Sequence, residues 1–147
     1  MIEVKEIGIK DPLYQQERDL RNRILLRPIG LANGAWEMRD SEAIHLVAVI
    51  SEEDLSEKVV GCLIFAPNSQ NSGQLMQMAV ESKYQGQGIG GKIVQLLHKV
   101  VKERGYTEIT CHAREEAVQF YEKHNYEIVG EPFEEAEIWH RHMIYSV

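Results

Sequence analysis

The densest chemical signal in the chain is Tyr84-Gln85-Gly86-Gln87-Gly88-Ile89-Gly90-Gly91-Lys92, four glycines in six positions between a strand-like run at 75–80 and an amphipathic stretch. Glycine adopts positive φ freely and lets backbone approach a ligand with no Cβ in the way. At a helix N-terminus such a loop leaves several N–H groups unpaired and aimed together at the positive end of the macrodipole. Phosphate or pyrophosphate is the chemistry that suits them. Three motifs compete for these letters. Gly86 to Gly91 satisfies the dinucleotide pattern G-x-G-x-x-G, with Glu103 and Glu108 near the distance of a ribose-reading acid, but fewer than fifty residues follow them, too few for that fold. A Walker lysine is in place at Lys92, yet Ile93 has no hydroxyl for Mg²⁺ where Ser or Thr is required. The third pattern, Gln/Arg-x-x-Gly-x-Gly/Ala, is met in full by Gln85 to Gly90.

Proton-transfer groups are less sharply marked. His140 and His142 stand two apart on an expected strand and so share a face with Ile138 and Ile144. A histidine at a cleft can accept an amine proton directly or through water, and two partly buried, hydrogen-bonded histidines are the competing structural account. Glu81, beside the glycine loop and equally a surface residue, and His112, at a strand end, are further candidates. No nearby spacing supplies the third ligand of a metal site, so none is expected. No Ser-His-Asp or Cys-His grouping is visible. Cys62 and Cys111 lie in apolar runs and are expected as buried reduced thiols, in keeping with a cytoplasmic protein.

These groups need a frame. Residues 2–9 alternate as a first strand and not as a signal peptide. Asp11-Pro12 predicts a helix start, with Asp as cap and Pro at the first helical position, and Leu13, Leu20 and Ile24 mark a face that ends before Pro28. Residues 31–42 are irregular. Residues 45–50 and 59–65 form an antiparallel hairpin, and the turn at 67–73 leads into the strand ending at Val80. Ile89, Ile93, Leu96, Leu97, Val100 and Val101 lay one helix face on a sheet. A strand at 107–112, a helix at 115–124 stopped by a left-handed Asn125, and strands around 127–129 and 137–145 complete the order. Antiparallel strands followed by a βαβ unit give an α/β (α+β) fold: a mixed, mostly antiparallel twisted sheet of about seven strands with helices on both faces. Residues 1–147 are expected to form one domain, since a chain of this length can bury about 70% of its unfolded surface in one core.

Composition excludes several partners. With 23 acidic residues against 16 basic ones the net charge is −7, which argues against a nucleic-acid surface and favours a cationic small-molecule acceptor, if the charges are more than a solvated exterior. An anionic cofactor is still compatible, because charges beyond about 8 Å are largely screened and the local donors decide. No apolar run approaches the roughly eighteen residues that span a bilayer, so no membrane partner is expected.

The loop, the preceding Met78-Ala79-Val80 and the later Ala117-Val118-Gln119-Phe120-Tyr121-Glu122 together resemble the GNAT N-acetyltransferase superfamily: its acyl-CoA loop, its fourth strand and its Ala-x-x-Phe-Tyr helix, in the family's order. The resemblance runs from about Ala43 to the C-terminus, as in small bacterial members of mostly unassigned substrate. It implies acetyl transfer from acetyl-CoA to a primary amine by direct attack, without an acyl-enzyme. Main-chain groups of Met78, Ala79 and Val80 would hold the acyl and pantetheine part. The amides of Gln85, Gly86, Gln87, Gly88, Ile89, Gly90 and Gly91 would take the pyrophosphate, with Gln85 contacting it or positioning the loop and Lys92 adding charge. Tyr121 would protonate the leaving thiolate, a phenol of pKa near 10 being protonated at neutral pH. Phe-Tyr on such a helix is otherwise core packing. Arg114 stands where the family often has an asparagine that contacts pantetheine, and it is assigned to a CoA phosphate instead. His140 is the assigned base. The acceptor pocket, for a small-molecule or peptide amine, would come from the first helix and the 31–42 loop, with Trp36 and Met38 against the substrate. The alternatives are a CoA-binding regulatory or interaction module that has lost catalysis and, more distantly, a nucleotide-dependent enzyme. A homodimer could form by edge pairing of the final strand.

Overall fold

Residues 2–147 are described by the computed structural model. The sheet has seven strands: β1 (Ile2–Ile7), β2 (Ile44–Ser51), β3 (Glu57–Pro67), β4 (Ser72–Val80), β5 (Glu108–Arg114), β6 (Glu127–Glu135) and β7 (Ile138–Ser146), in the spatial order β1-β2-β3-β4-β5-β7-β6. Only β4 and β5 pair in parallel, joined by helix α2 (Ile89–Glu103); the other neighbours are antiparallel. This is the mixed, mostly antiparallel α+β sheet that the element order implied.

The central strands are buried on both sides, which is why residues 44–49 are apolar without alternation apart from His45. One face carries α2 and the short helix α3 (Val118–Lys123), with Ile93, Leu97, Val101, Val118 and Tyr121 packed on Leu46, Leu63, Cys111 and Met143. The other face carries helix α1 (Tyr14–Arg21), whose Leu20 meets Val47, Val49, Cys62 and Ala79. Both cysteines are buried and free, and burial pushes the Cys111 thiol up to about 12.

Local expectations are modified at several points. Helix α1 begins at Tyr14, because the Asp11 carboxylate accepts from the Leu13 N–H in an Asx turn and not from inside a helix. Within the expected helix the α-helical part ends at Arg21 and gives way to a π turn at Asn22–Leu26, and a 3₁₀ turn at Arg27–Ile29 carries the path past the expected end at Pro28. A proline in the first turn of a 3₁₀ segment gives up no needed donor. Asn125 does take the left-handed conformation, φ 70°. Strand β6 runs six residues beyond the expected 129, since it is an exposed edge and carries no apolar alternation to mark it. The final strand, β7, lies between β5 and β6, so the edges available for pairing are β1 and β6. A dimer built on the edge of the last strand is therefore ruled out by topology. Among the described residues no helix is long and apolar enough to cross a membrane.

Candidate active site

Strands β4 and β5 pair only through Ser72–Leu75 and Glu108–Cys111, yet β4 continues to Val80 and β5 to Arg114. Past Leu75 the two strands part and leave a gap in the middle of the sheet. An extra residue in β4 accompanies the opening: Cys62 pairs with Ala79 and Ile64 with Met76, so β4 bulges, and Gln77 takes φ 53°. The gap has a cavity on each side.

The cavity on the α2 side is about 660 Å³ and is lined by Met78, Ala79 and Val80, by the loop, and by Ala117, Phe120 and Tyr121 of the α3 segment. Among the described residues the N–H groups of Gly86, Gln87, Gly88, Ile89, Gly90 and Gly91 donate to no backbone carbonyl; the ladder resumes at Lys92, which donates to the Gly88 carbonyl at 3.2 Å. The four glycines serve two needs. Gly86 and Gly88 both have φ 80°. Gly90 and Gly91 allow α2 to approach β4 and the end of α3, since a Cβ on Gly90 would stand 2.7 Å from Met78 Cε and one on Gly91 3.2 Å from His124 Nε2. The Gln85 side chain donates to the Val80 carbonyl at 2.9 Å, tying the loop to the end of β4. Lys92 is exposed and lines neither cavity.

The second cavity, about 510 Å³, lies on the α1 side between the 31–42 loop, β4, β5 and the β6–β7 hairpin. Leu25, Trp36, Met38 and Met76 give it apolar walls. His112, Arg114, Glu135 and His140 are on its β5–β7 side, where Arg114 pairs with His140 across the ladder. His140 donates from Nδ1 to the Ile138 carbonyl at 2.7 Å, which in the neutral ring leaves Nε2 as an acceptor. His112 Nδ1 is 2.9 Å from the Glu135 carboxylate. His142 makes an edge contact with His112, ring centroids 5.7 Å apart, and lines neither cavity. Glu81 is held in a two-point pair by Arg23, at 3.0 and 2.9 Å, which keeps its carboxyl below the usual range; it too lines neither cavity. Arg114 lines the second cavity and not the groove over the glycine loop.

Met78, Ala117 and Tyr121 line both cavities. Tyr121 is 7% exposed, its hydroxyl donates to Met78 Sδ at 3.8 Å, and burial raises its pKa further above the ordinary phenol value.

One group of side chains escaped the sequence reading. Arg21, 2% exposed, donates from Nη1 to Glu17 (2.8 Å) and Asp40 (2.9 Å), from Nη2 to Asp40 (2.9 Å) and the Trp36 carbonyl (3.2 Å), and from Nε to Gln77 (2.9 Å). Gln77 itself donates to the Trp36 carbonyl at 2.8 Å, and Tyr14 donates to Asp40 at 2.5 Å. His45 Nδ1 faces the Glu17 carboxylate (2.9 Å) and Nε2 the Asp40 carbonyl (2.8 Å), so both ring nitrogens meet acceptors and the imidazolium satisfies both. Burial acts to lower the His45 pKa, but the bond and charge of Glu17 outweigh it and the net direction is up. Ligand atoms of Glu17, Asp40 and His45 lie within 4.8 Å of one another, the spacing of a cation site, but the Arg21 guanidinium already stands among the carboxylates. The signal in the sequence was a Glu17–Arg21 pair at i,i+4 beside Leu20, and a histidine inside an apolar strand.

A family profile described as an acetyltransferase (GNAT) domain matches residues 31–147. Curated relatives include YjcF of Bacillus subtilis, an uncharacterized N-acetyltransferase (33% identical over 73 residues, 49% of this chain and 52% of the relative), and YyaT of the same organism (31% over 70 residues, 48% and 47%). The matched segment spans about half the length of these relatives. Among solved structures, Escherichia coli ElaA superposes with TM-score 0.81 at 14% identity, covering 98% of this chain and 99% of that one. An aminoglycoside 6'-N-acetyltransferase complexed with coenzyme A gives 0.79 at 22% (98% and 96%). A GNAT family acetyltransferase of Elizabethkingia anophelis with acetyl-CoA bound gives 0.69 at 18% (97% and 94%). At these identities the superpositions speak to fold, and the profile speaks to descent: the chain belongs to the GNAT acetyltransferase family.

Proposed function

We propose that the protein transfers acetyl from acetyl-CoA to a primary amine, with the cofactor in the groove over the glycine loop and the acceptor in the cavity on the α1 side. The observation that carries this reading is the meeting of the two spaces at Met78, Ala117 and Tyr121. The six unpaired amides from Gly86 to Gly91 offer a cradle for pyrophosphate, and the parted edge of β4 at Met78, Ala79 and Val80 offers main-chain groups for the pantetheine arm. A thioester carbonyl brought to the junction would lie between the acceptor amine and the Tyr121 hydroxyl.

The amine must lose a proton to attack, and the departing thiolate must gain one. His140, with Nδ1 bound to a carbonyl and Nε2 left basic, takes the amine proton. His112, oriented by Glu135, is a second group able to do so from the same cavity. Tyr121 protonates the thiolate; burial raises its pKa above the ordinary phenol value, so it carries its proton at neutral pH. A backbone N–H aimed at the developing oxyanion can contribute several kcal/mol, since removing one oxyanion donor in another enzyme costs about 2.7–4 kcal/mol.

The test is release of CoA from acetyl-CoA over a panel of amines, with Tyr121→Phe alongside. The substitution keeps the ring and its packing. General acid catalysis predicts a fall in kcat of about 10²- to 10⁴-fold with little change in acetyl-CoA affinity. Normal turnover in the variant would return Tyr121 to packing. Acetyl-CoA binding without turnover of any amine would favour a CoA-binding module, and failure to bind acetyl-CoA would refute the placement of the cofactor.

A further inference from the structure

The protein is acidic, but the acceptor cavity is not. Its charged lining residues are Arg39, Arg114 and Glu135, with His112 and His140. Glu135 is engaged by His112 at 2.9 Å. Arg39 is engaged by Glu42 and by the Pro67 and Asn68 oxygens. Arg114 has no carboxylate partner among the described residues. Of the other acids in or near the 31–42 loop, Glu17 and Asp40 are buried and balanced by Arg21 and His45, Glu37 pairs with Arg18, and Glu42 pairs with Arg39. Arg114, a half-buried residue beside apolar walls, is thus the cation of the lining that no carboxylate pairs.

We infer that the acceptor is an amine bearing a carboxylate and an apolar side chain, an apolar amino acid, whose carboxylate is held by Arg114. This rests on the acetyl-transfer reading above. A guanidinium pairs with a carboxylate in two parallel N–H···O bonds, a planar match that fixes orientation as well as affinity. Leu25, Trp36, Met38 and Met76 receive the apolar side chain, and the cavity of about 510 Å³ is within the ordinary range for small-ligand sites. A polycation, such as a polyamine or an aminoglycoside, would meet the Arg39 and Arg114 guanidinium groups with one lining carboxylate, Glu135, to offset them, and that carboxylate is already hydrogen-bonded to His112. The acidic composition thus misleads about the acceptor: the net charge of −7 is carried on the exterior.

The experiment compares matched amines: L-phenylalanine with L-phenylalaninamide and L-methionine with L-methioninamide, together with spermidine and kanamycin. CoA release is measured for the intact protein and for Arg114→Gln and Arg114→Lys. The acids are expected to have kcat/KM at least about 10-fold above spermidine and kanamycin. Arg114→Gln should lower the acid-to-amide ratio about 10- to 100-fold, the worth of a charged hydrogen-bonded pair, and Arg114→Lys should retain part of it. Comparing ratios between variants cancels the different basicities of the two amines. Preference for the polycations, or an unchanged ratio in Arg114→Gln, overturns the inference; an unchanged ratio with weakened acetyl-CoA binding would place Arg114 on a CoA phosphate. If no amine is turned over, acetyl transfer fails separately. The acceptor inference is then read from thermal stabilisation, in the presence of CoA, by 3-phenylpropionate against 3-phenylpropanamide. Stabilisation by the acid alone, lost in Arg114→Gln, supports it, and no difference between the two refutes it.

Discussion

Replacing Arg21 with Met should be among the most damaging single changes outside the apolar core, for a reason that can be separated from simple loss of packing. With His45 as imidazolium, the cluster is neutral: Glu17 and Asp40 carry two negative charges, Arg21 and His45 two positive ones. All four side chains are nearly or fully buried, at 0%, 4%, 2% and 1% exposure respectively. Methionine fills much of the arginine volume but leaves one uncompensated negative charge in that interior and strips partners from Gln77 and the Trp36 carbonyl. Removing one member of a buried pair costs about 3–5 kcal/mol. That is about a fifth or more of a typical domain's stability of about 5–15 kcal/mol. With a urea m-value of about 2 kcal/mol/M, the unfolding midpoint should fall by about 2 M. Asp40→Asn supplies the discriminating measurement. In the native background it unbalances the cluster and should destabilise; with Arg21→Met it restores neutrality, leaving Glu17 against His45, and should recover at least about 1 kcal/mol. A double-mutant cycle by urea denaturation reads the sign directly. If Asp40→Asn destabilises both backgrounds by the same amount, charge balance is not what holds this cluster, and the argument fails.

Two further outcomes follow from the same geometry. Gly88→Val should abolish most of the stabilisation by acetyl-CoA, about 2.7 kcal/mol at one hundred times Kd, checked by ligand-dependent thermal shift. It also forces a β-branched residue to φ 80°, so the ligand-free protein should lose about 1–2 kcal/mol as well; a full ligand shift in the folded variant would exclude the loop as the phosphate site. His45, with its pKa raised in the folded state, contributes stability that is complete below about pH 6.5 and lost as pH rises through the folded value. The urea midpoint should therefore decline between pH 6 and pH 9, and His45→Gln should flatten that decline; an identical slope in the variant would remove His45 as its source.

The parts of the site that could be seen in the sequence are those encoded over short distances. The glycine loop, the apolar stripe of α2 and the Ala117–Tyr121 segment each announce themselves within a few residues, and their order suffices to set the βαβ unit around the gap. The buried charged cluster does not, because its bonds join residues 19, 28 and 56 positions apart and pass through a loop with no periodicity. A bulge leaves no mark either: Gln77 sits in a run of ordinary strand residues, and only the register of β3 against β4 reveals the extra position. Arg114 shows how strand parity adds to a motif. It stands where the family often has an asparagine, a departure that pointed it to a CoA phosphate, while strand parity decides which cavity it lines: it pairs with His140 and falls, like His112, on the α1 side of the sheet.

Gln77 also explains why the two cavities are built as a unit. It is the inserted residue where β4, no longer paired to β5, shifts against β3, so its backbone belongs to the opening between the strands. Its side chain accepts from Arg21 and donates to the Trp36 carbonyl, so the same residue fixes the loop that walls the α1-side cavity. A positive φ at a non-glycine residue costs of order 1–3 kcal/mol and persists only where its surroundings over-determine it. Here the surroundings are two hydrogen bonds to a buried cluster whose charges must balance. The strain at Gln77, the neutrality of the Glu17–Arg21–Asp40–His45 group and the position of Trp36 are therefore parts of one constraint. Met78, the next residue along, is where that constraint meets Tyr121 and the groove over the glycine loop.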